Sequence, residues 1–181
     1  MRPKESLVIR IQMAEMHDSV LKRIERAYQD EQYIEVCWLC YACFESRINR
    51  VLEKICVGCT KERRENGREI GIRTKLECYV RLIKNSYPPL ANESIDLLNT
   101  VKGWCKERNT LIHGMVDLEN YATADKKFSS LAKRGRSLVV RMYEFGTDVR
   151  NYYYTTDEVP LFPDRIIDAC NLKYKCIKEQ N

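Results

Sequence analysis

The chain has 181 residues, of which 44% are hydrophobic and 31% charged. That balance describes one helix-rich globular domain with a core and excludes a disordered or fibrous chain. Its 31 basic and 26 acidic residues leave a formal charge of +5, compatible with an anionic partner without requiring one. No stretch approaches the ~20 apolar residues of a membrane span, and the charged start Met1-Arg2-Pro3-Lys4-Glu5 leads into no apolar signal core. A cytoplasmic protein with no membrane association is expected.

In chain order, a first helix is predicted over about 4–29 and a second over about 31–56, separated by a weak break near Asp30. Residues 57–71 carry three glycines and a dense charge run and read as a loop. A third helix covers about 72–85 and stops before Pro88-Pro89, and a fourth, capped by Asn92, covers 93–113. A connection over 115–124 leads into a long fifth helix from about Asp125 to the three tyrosines at 152–154. Gly135 and Gly146 lie inside it and weaken the expectation that it is continuous. Pro160 and Pro163 bound an extended piece before a short last helix over about 164–178. No strand alternation with hairpin signals and no repeat appears. The expected fold is all-α, a bundle of four to five long helices in a single domain, with a core over about 30–155 and a tail over 156–181.

Nine cysteines, an odd number spread through helical segments, suit reduced thiols better than a disulfide framework. Cys37, Cys40 and Cys43 recur every three residues in one helix, where a free thiol packs as a small hydrophobe. Cys56-x-x-Cys59 has half of a zinc spacing, but the pair Cys170 and Cys176 matches the other half poorly. No metal site is expected.

The fourth helix carries the chemistry. At ~100° per residue, Leu97, Leu98, Val101, Trp104, Cys105, Leu111 and Ile112 fill one face, and Arg108 projects near its middle. A buried cation costs several kcal/mol (~3–5) unless something compensates it. Asn109 and His113, four apart, stack on the edge of the stripe, and Gly114 follows as the helix stop. A helix C-terminus favours a cation among its unpaired carbonyls. The helix end therefore offers a fixed cation, an amide and a titratable ring, a set suited to a phosphate and its proton transfers. On the second helix Ile34, Cys37, Trp38, Tyr41, Phe44, Ile48, Leu52 and Ile55 form a comparable stripe, with Glu45 inside it. Two opposite charges, each alone on a core stripe, are natural partners, and Glu45 is expected to approach Arg108. The competing expectation is that both reach water at helix rims through their stems.

Basic residues gather at 61–73 and 126–141. Each run taken alone describes the solvated face of a helix or loop equally well. If they serve the site, Lys106, Arg134 and Arg136 are its candidate cations for an anionic ligand. The tyrosines at 152–154 suit base stacking but are as a rule core or interface residues at a helix end, and His17 reads as an ordinary surface histidine.

Arg108-Asn109-Thr110-Leu111-Ile112-His113-Gly114, closing an amphipathic helix, resembles the signature of HEPN domains, the helical family found in prokaryotic toxins, abortive-infection proteins and RNA-targeting CRISPR effectors. Glu45-Ser46-Arg47-Ile48 is similar to the acidic-plus-basic position those domains often carry in an early helix. The likeness spans about 30–155. It implies a bundle of four to five helices, paired as a two-fold homodimer with both motif helices facing one cleft. It also implies metal-independent endoribonuclease chemistry with no cofactor, in which the RNA 2′-hydroxyl attacks the adjacent phosphodiester to leave a 2′,3′-cyclic phosphate and a 5′-hydroxyl. In those roles Arg108 would bind the scissile phosphate with Glu45 in support, His113 would protonate the leaving 5′-oxygen, Asn109 would orient the histidine or donate to the phosphate, and Lys106, Arg134 and Arg136 would be the RNA-binding cations. Phage defence or toxicity would be the setting, with an antitoxin protein or a regulatory RNA as a further partner. The alternative is a catalytically inactive helical module that binds RNA or a protein partner and keeps Arg108 as a structural residue. A third reading is a purely structural dimer whose stripe charges specify pairing.

Overall fold

The computed structural model describes residues 7–55, 71–86, 91–115 and 121–155. They form five helices and, among the described residues, no strand: α1 (Leu7–Gln29), α2 (Tyr33–Ile55), α3 (Ile72–Ser86), α4 (Ala91–His113) and α5 (Tyr121–Thr155). None is long and apolar enough to cross a membrane. The predicted last helix over 164–178 and the pairs Cys56/Cys59 and Cys170/Cys176 lie outside the described residues.

The weak break at Asp30 is a complete helix stop. Gln32 N–H donates to Ala27 O (2.8 Å) and Glu31 N–H to Tyr28 O (3.2 Å). Glu31 takes the left-handed φ of 58° that this cap needs. A glutamate in that region costs about 1 kcal/mol, and the reversal returns α2 along α1, where Arg23 donates from Nε and Nη2 to Glu35 (2.9 and 2.7 Å). Two boundaries differ from expectation. Helix α4 begins at Ala91, so Asn92 sits in its first turn instead of capping it, and α5 begins at Tyr121, four residues before Asp125.

The core lies mainly between α2 and α5, with α4 packed on both and α3 on α2 and α4. Small side chains on α2 set that seam. Cys37, Cys40 and Cys43 are buried, with the Cys37 thiol 4.0 Å from Phe128 O and the Tyr143 hydroxyl 4.0 Å from the Cys43 sulfur. Around them Val36, Phe44, Ile48, Leu52, Phe128, Leu131, Val139 and Met142 are buried, each contributing about 1.5–3 kcal/mol by leaving water. Burial pushes the Cys37 and Cys105 thiols up to about 12 and raises Cys40 and Cys43 as well. They are packing groups, not nucleophiles.

Helix α5 runs unbroken through Gly135 and Gly146. Both glycines are there for space: a Cβ on Gly135 would lie 2.8 Å from Trp104 Cζ2, and one on Gly146 would lie 2.8 Å from Arg47 Cδ. The propensity cost of ~1 kcal/mol per glycine is offset by the approach of neighbouring side chains.

The buried face of α2 is rotated by roughly two-thirds of a ~100° residue step from the stripe read in the sequence. Val36, Cys40, Cys43 and Val51 are buried, whereas Ile34 and Trp38 are 39% and 53% exposed. The helix is apolar over more of its circumference than the bundle covers. Trp38 is left on the outside, beside α4.

Candidate functional site

Helix α4 is positioned by Leu97, Leu98, Val101, Trp104 and Cys105, all buried, and by the Trp104 indole N–H, which donates to Leu131 O on α5 (2.9 Å). The Trp104 ring also meets Phe44 edge-on at 5.2 Å. Four residues beyond this anchor, Arg108 is 6% exposed. The helix closes at Gly114, whose N–H donates to Thr110 O (2.9 Å). A Cβ at Gly114 would stand 3.1 Å from that same oxygen, a tight approach that glycine avoids.

The arginine does not meet Glu45. That carboxylate is half-buried and pairs at 3.8 Å with Lys75 of α3. The physical reason is position along α2: Trp38, Tyr41 and Glu45 share one side of the helix, but Glu45 lies about one turn (~6 Å) beyond Tyr41, at the level of α3, and the two aromatic rings meet the arginine instead. The Arg108 guanidinium carbon lies 4.0 Å from the centroid of Trp38 and 4.7 Å from that of Tyr41. Nη1 donates to Asn109 Oδ1 (3.0 Å), while the buried Nε and Nη2 have no hydrogen-bond partner among the described residues. Burial pushes the Arg108 pKa down from its ordinary value, yet a guanidinium stays charged. Ring faces attract a cation by about 0.5–2 kcal/mol, less than the several kcal/mol (~3–5) of an unpaired buried charge. Two aimed, unsatisfied donors therefore remain in a desolvated setting.

Asn109 and His113 are exposed. Five residues separate Arg108 from His113, which amounts to ~140° around the helix and ~7.5 Å along it. Arg108 points inward and His113 outward, and one copy of α4 does not converge them on a single point.

Nor do the other candidate cations gather beside Arg108. Lys106 is exposed on the far side of α4 and lines a shallow groove of about 480 Å³ with Gly103, Glu107, Thr110, Lys127 and Ser130. Arg134 pairs with Glu107 at 2.6 Å on the rim of that groove. Arg136 pairs with Glu25 and lies 4.0 Å over the Tyr28 ring, clipping α5 to α1. Positions 134 and 136 are ~200° apart on a helix, so they serve different faces. Most of the basic run at 61–73, and the side chains of the tyrosines at 152–154, lie outside the described residues. Among the described residues no group of three or more His, Cys, Asp or Glu side chains is arranged to hold a metal ion.

Sequence reasoning missed Trp38 and Tyr41 as the groups around Arg108. It also mistook His17, which is half-buried. The His17 ring meets Tyr143 edge-on at 4.6 Å, and Nε2 lies 3.2 Å from Arg50 Nη1. Arg47 covers the Tyr143 ring at 3.9 Å. An arginine can only donate, so Nε2 accepts and the ring is neutral, its proton on the buried Nδ1, which has no partner among the described residues. Burial, then Arg47 and Arg50, lower the His17 pKa from 6.5 to about 4. The folded state thus prefers the unprotonated ring. That preference is fully present above pH 6.5 and is lost as pH falls toward about 4. Relative to His17→Gln, the wild type should lose about 1–2 kcal/mol across that window once solvent screening is allowed for. Thermal melts of both proteins at several pH values check this, and a constant difference between them would contradict it.

Family models, curated proteins and solved structures were all compared with this chain. None matches.

Proposed function

We propose that the protein is a metal-independent endoribonuclease of HEPN type that works as a homodimer, in phage defence or as a toxin, without a cofactor. The observation that carries this reading is Arg108, a buried cation that meets no carboxylate among the described residues and holds two unsatisfied donors, five residues before a histidine that precedes a glycine stop. A phosphodiester supplies what those donors lack, and planar guanidinium donors fit two of its oxygens at once.

In this reading the RNA 2′-oxygen forms a bond to phosphorus as its proton leaves to solvent, and the bond from phosphorus to the 5′-oxygen breaks. Arg108 stabilises the charge that builds on the phosphoryl oxygens. His113 gives its proton to the departing 5′-oxygen. Asn109, already bonded to Arg108, holds the guanidinium in register with the phosphate. The divergence of Arg108 and His113 on one helix favours a composite site in which two copies face one cleft. Lys106, on the far side of the same helix, supplies a separate cationic contact for the RNA backbone. An antitoxin protein or a regulatory RNA would be the partner that controls such an activity.

That same divergence is also what a non-catalytic module binding RNA or protein would show, with Arg108 as its anchor. RNA binding tests the reading common to both. Affinity for a single-stranded oligonucleotide should fall steeply with salt as condensed cations are released, and Arg108→Ala should weaken it. Light scattering should give about twice the 21.4 kDa chain mass. Salt-insensitive binding by a clean monomer would overturn the RNA-processing dimer.

A further inference from the structure

Trp38 is the anomaly that the chemistry above does not use. It is 53% exposed, on a helix whose next turn, at Tyr41 and Phe44, enters the core. One face of its indole lies against the Arg108 guanidinium at 4.0 Å. Of the side chains described around that cation, Cys37 and Cys105 are buried, Tyr41 is half-buried, and Trp38 and Asn109 are exposed. The indole is therefore the aromatic outer wall of the arginine's pocket, and a large part of its surface faces solvent.

We propose that Trp38 is a base-stacking platform that selects unpaired RNA at Arg108. The inference rests on the reading of Arg108 as a phosphate-binding residue. A nucleotide is the ligand that carries both an anion and a flat π-face, and here a desolvated cation with two unsatisfied donors stands directly behind an exposed indole. A base stacked on the free face of Trp38 completes a guanidinium–indole–base pile, with the adjoining phosphate beside Arg108. Every base has a π-face, so the platform tolerates any sequence. It does not tolerate a duplex, whose base faces are taken up by their neighbours.

The arrangement also ranks ligands. In the pile Trp38 keeps its cation–π contact with Arg108, and the base adds stacking on the free face while the phosphate is drawn to the enclosed Nε and Nη2. An anion without a base gains no stacking. Inorganic phosphate should therefore compete poorly for the site.

The chain has two tryptophans, and Trp104 is 2% exposed and held by Leu131, so ligand-dependent fluorescence reports on Trp38. The full-length protein is titrated with a 2′-O-methyl oligonucleotide, which lacks the attacking hydroxyl, as a single strand and annealed to its complement. Saturable quenching by the single strand and not by the duplex is expected. Trp38→Leu should abolish the quenching and weaken single-strand affinity by about 5- to 150-fold, while Trp38→Phe keeps most of that affinity. Equal affinity for strand and duplex, or an unchanged Trp38→Leu, would overturn the platform. So would a blue shift of Trp38 emission on raising protein concentration alone, which would mark this face as a contact between copies. The two readings fail separately: quenching without RNA cleavage removes the nuclease and leaves the platform, whereas cleavage indifferent to Trp38→Leu does the reverse.

Discussion

Arg108→Met is expected to make the protein more stable and unable to process RNA. The wild-type side chain holds a charge at 6% exposure, and among the described residues it meets no carboxylate and leaves two donors unsatisfied. Methionine fills a similar volume without that cost, and replacing a buried charge by an apolar side chain often stabilises by about 1–4 kcal/mol. The loss of cation–π attraction to Trp38 and Tyr41, about 0.5–2 kcal/mol, offsets part of this. A net gain of about 1 kcal/mol would raise the Tm by roughly 2–4 °C in a domain of this size. Cleavage should fall by about 10³-fold or more, since a preorganised donor to the transition-state charge is gone. A residue that costs stability and is needed for activity is spent on function. A fall in Tm with RNA affinity unchanged would instead make Arg108 a structural residue. Arg108→Ala is the less clean variant, because it adds a cavity to the lost charge.

Gly135→Ala should cost up to about 2 kcal/mol even though alanine is the better helix former. Its Cβ would lie 2.8 Å from Trp104 Cζ2, inside the distance real contacts reach. The Trp104 ring is held by its bond to Leu131 O and by Phe44, so relief must come from moving α4 against α5. Overpacking costs about 1–3 kcal/mol, against a helix-propensity gain of about 1. Trp104 stands one turn before Arg108, so activity should fall with stability. Gly103→Ala is the control: a Cβ there meets nothing within 4 Å, and the same change on exposed α4 should stabilise by about 1 kcal/mol. Denaturant melts of the two variants should move in opposite directions.

Much of the fourth helix was legible in the sequence. The apolar positions from Leu97 to Cys105 are buried as their spacing predicts, the helix ends at His113 before Gly114, and Arg108 lies inward as its place on the stripe requires. What surrounds Arg108 was not legible. Glu45, Trp38 and Tyr41 share one side of α2, and periodicity does not fix how far a helix that is apolar over most of its girth is turned in the bundle. Charge complementarity favoured Glu45, but the place of Glu45 about one turn farther along α2 than Tyr41 gave the carboxylate to Lys75 and left the rings to Arg108. The glycines of α5 misled for a related reason: propensity is local, whereas Trp104 and Arg47, which need the space, lie on other helices. His17 gave no signal because its partners, Arg50 and Tyr143, come from α2 and α5.

The reaction itself is the most direct measurement. Wild-type protein and His113→Ala are incubated in EDTA with a single-stranded RNA, and the termini of the products are analysed. The account predicts cuts by the wild type that leave 2′,3′-cyclic phosphate and 5′-hydroxyl ends, and no cuts by His113→Ala, which still binds the RNA because the exposed imidazole moves a proton and Arg108 holds the phosphate. Intact RNA in both samples, bound equally with and without His113, would contradict it and leave a binding module.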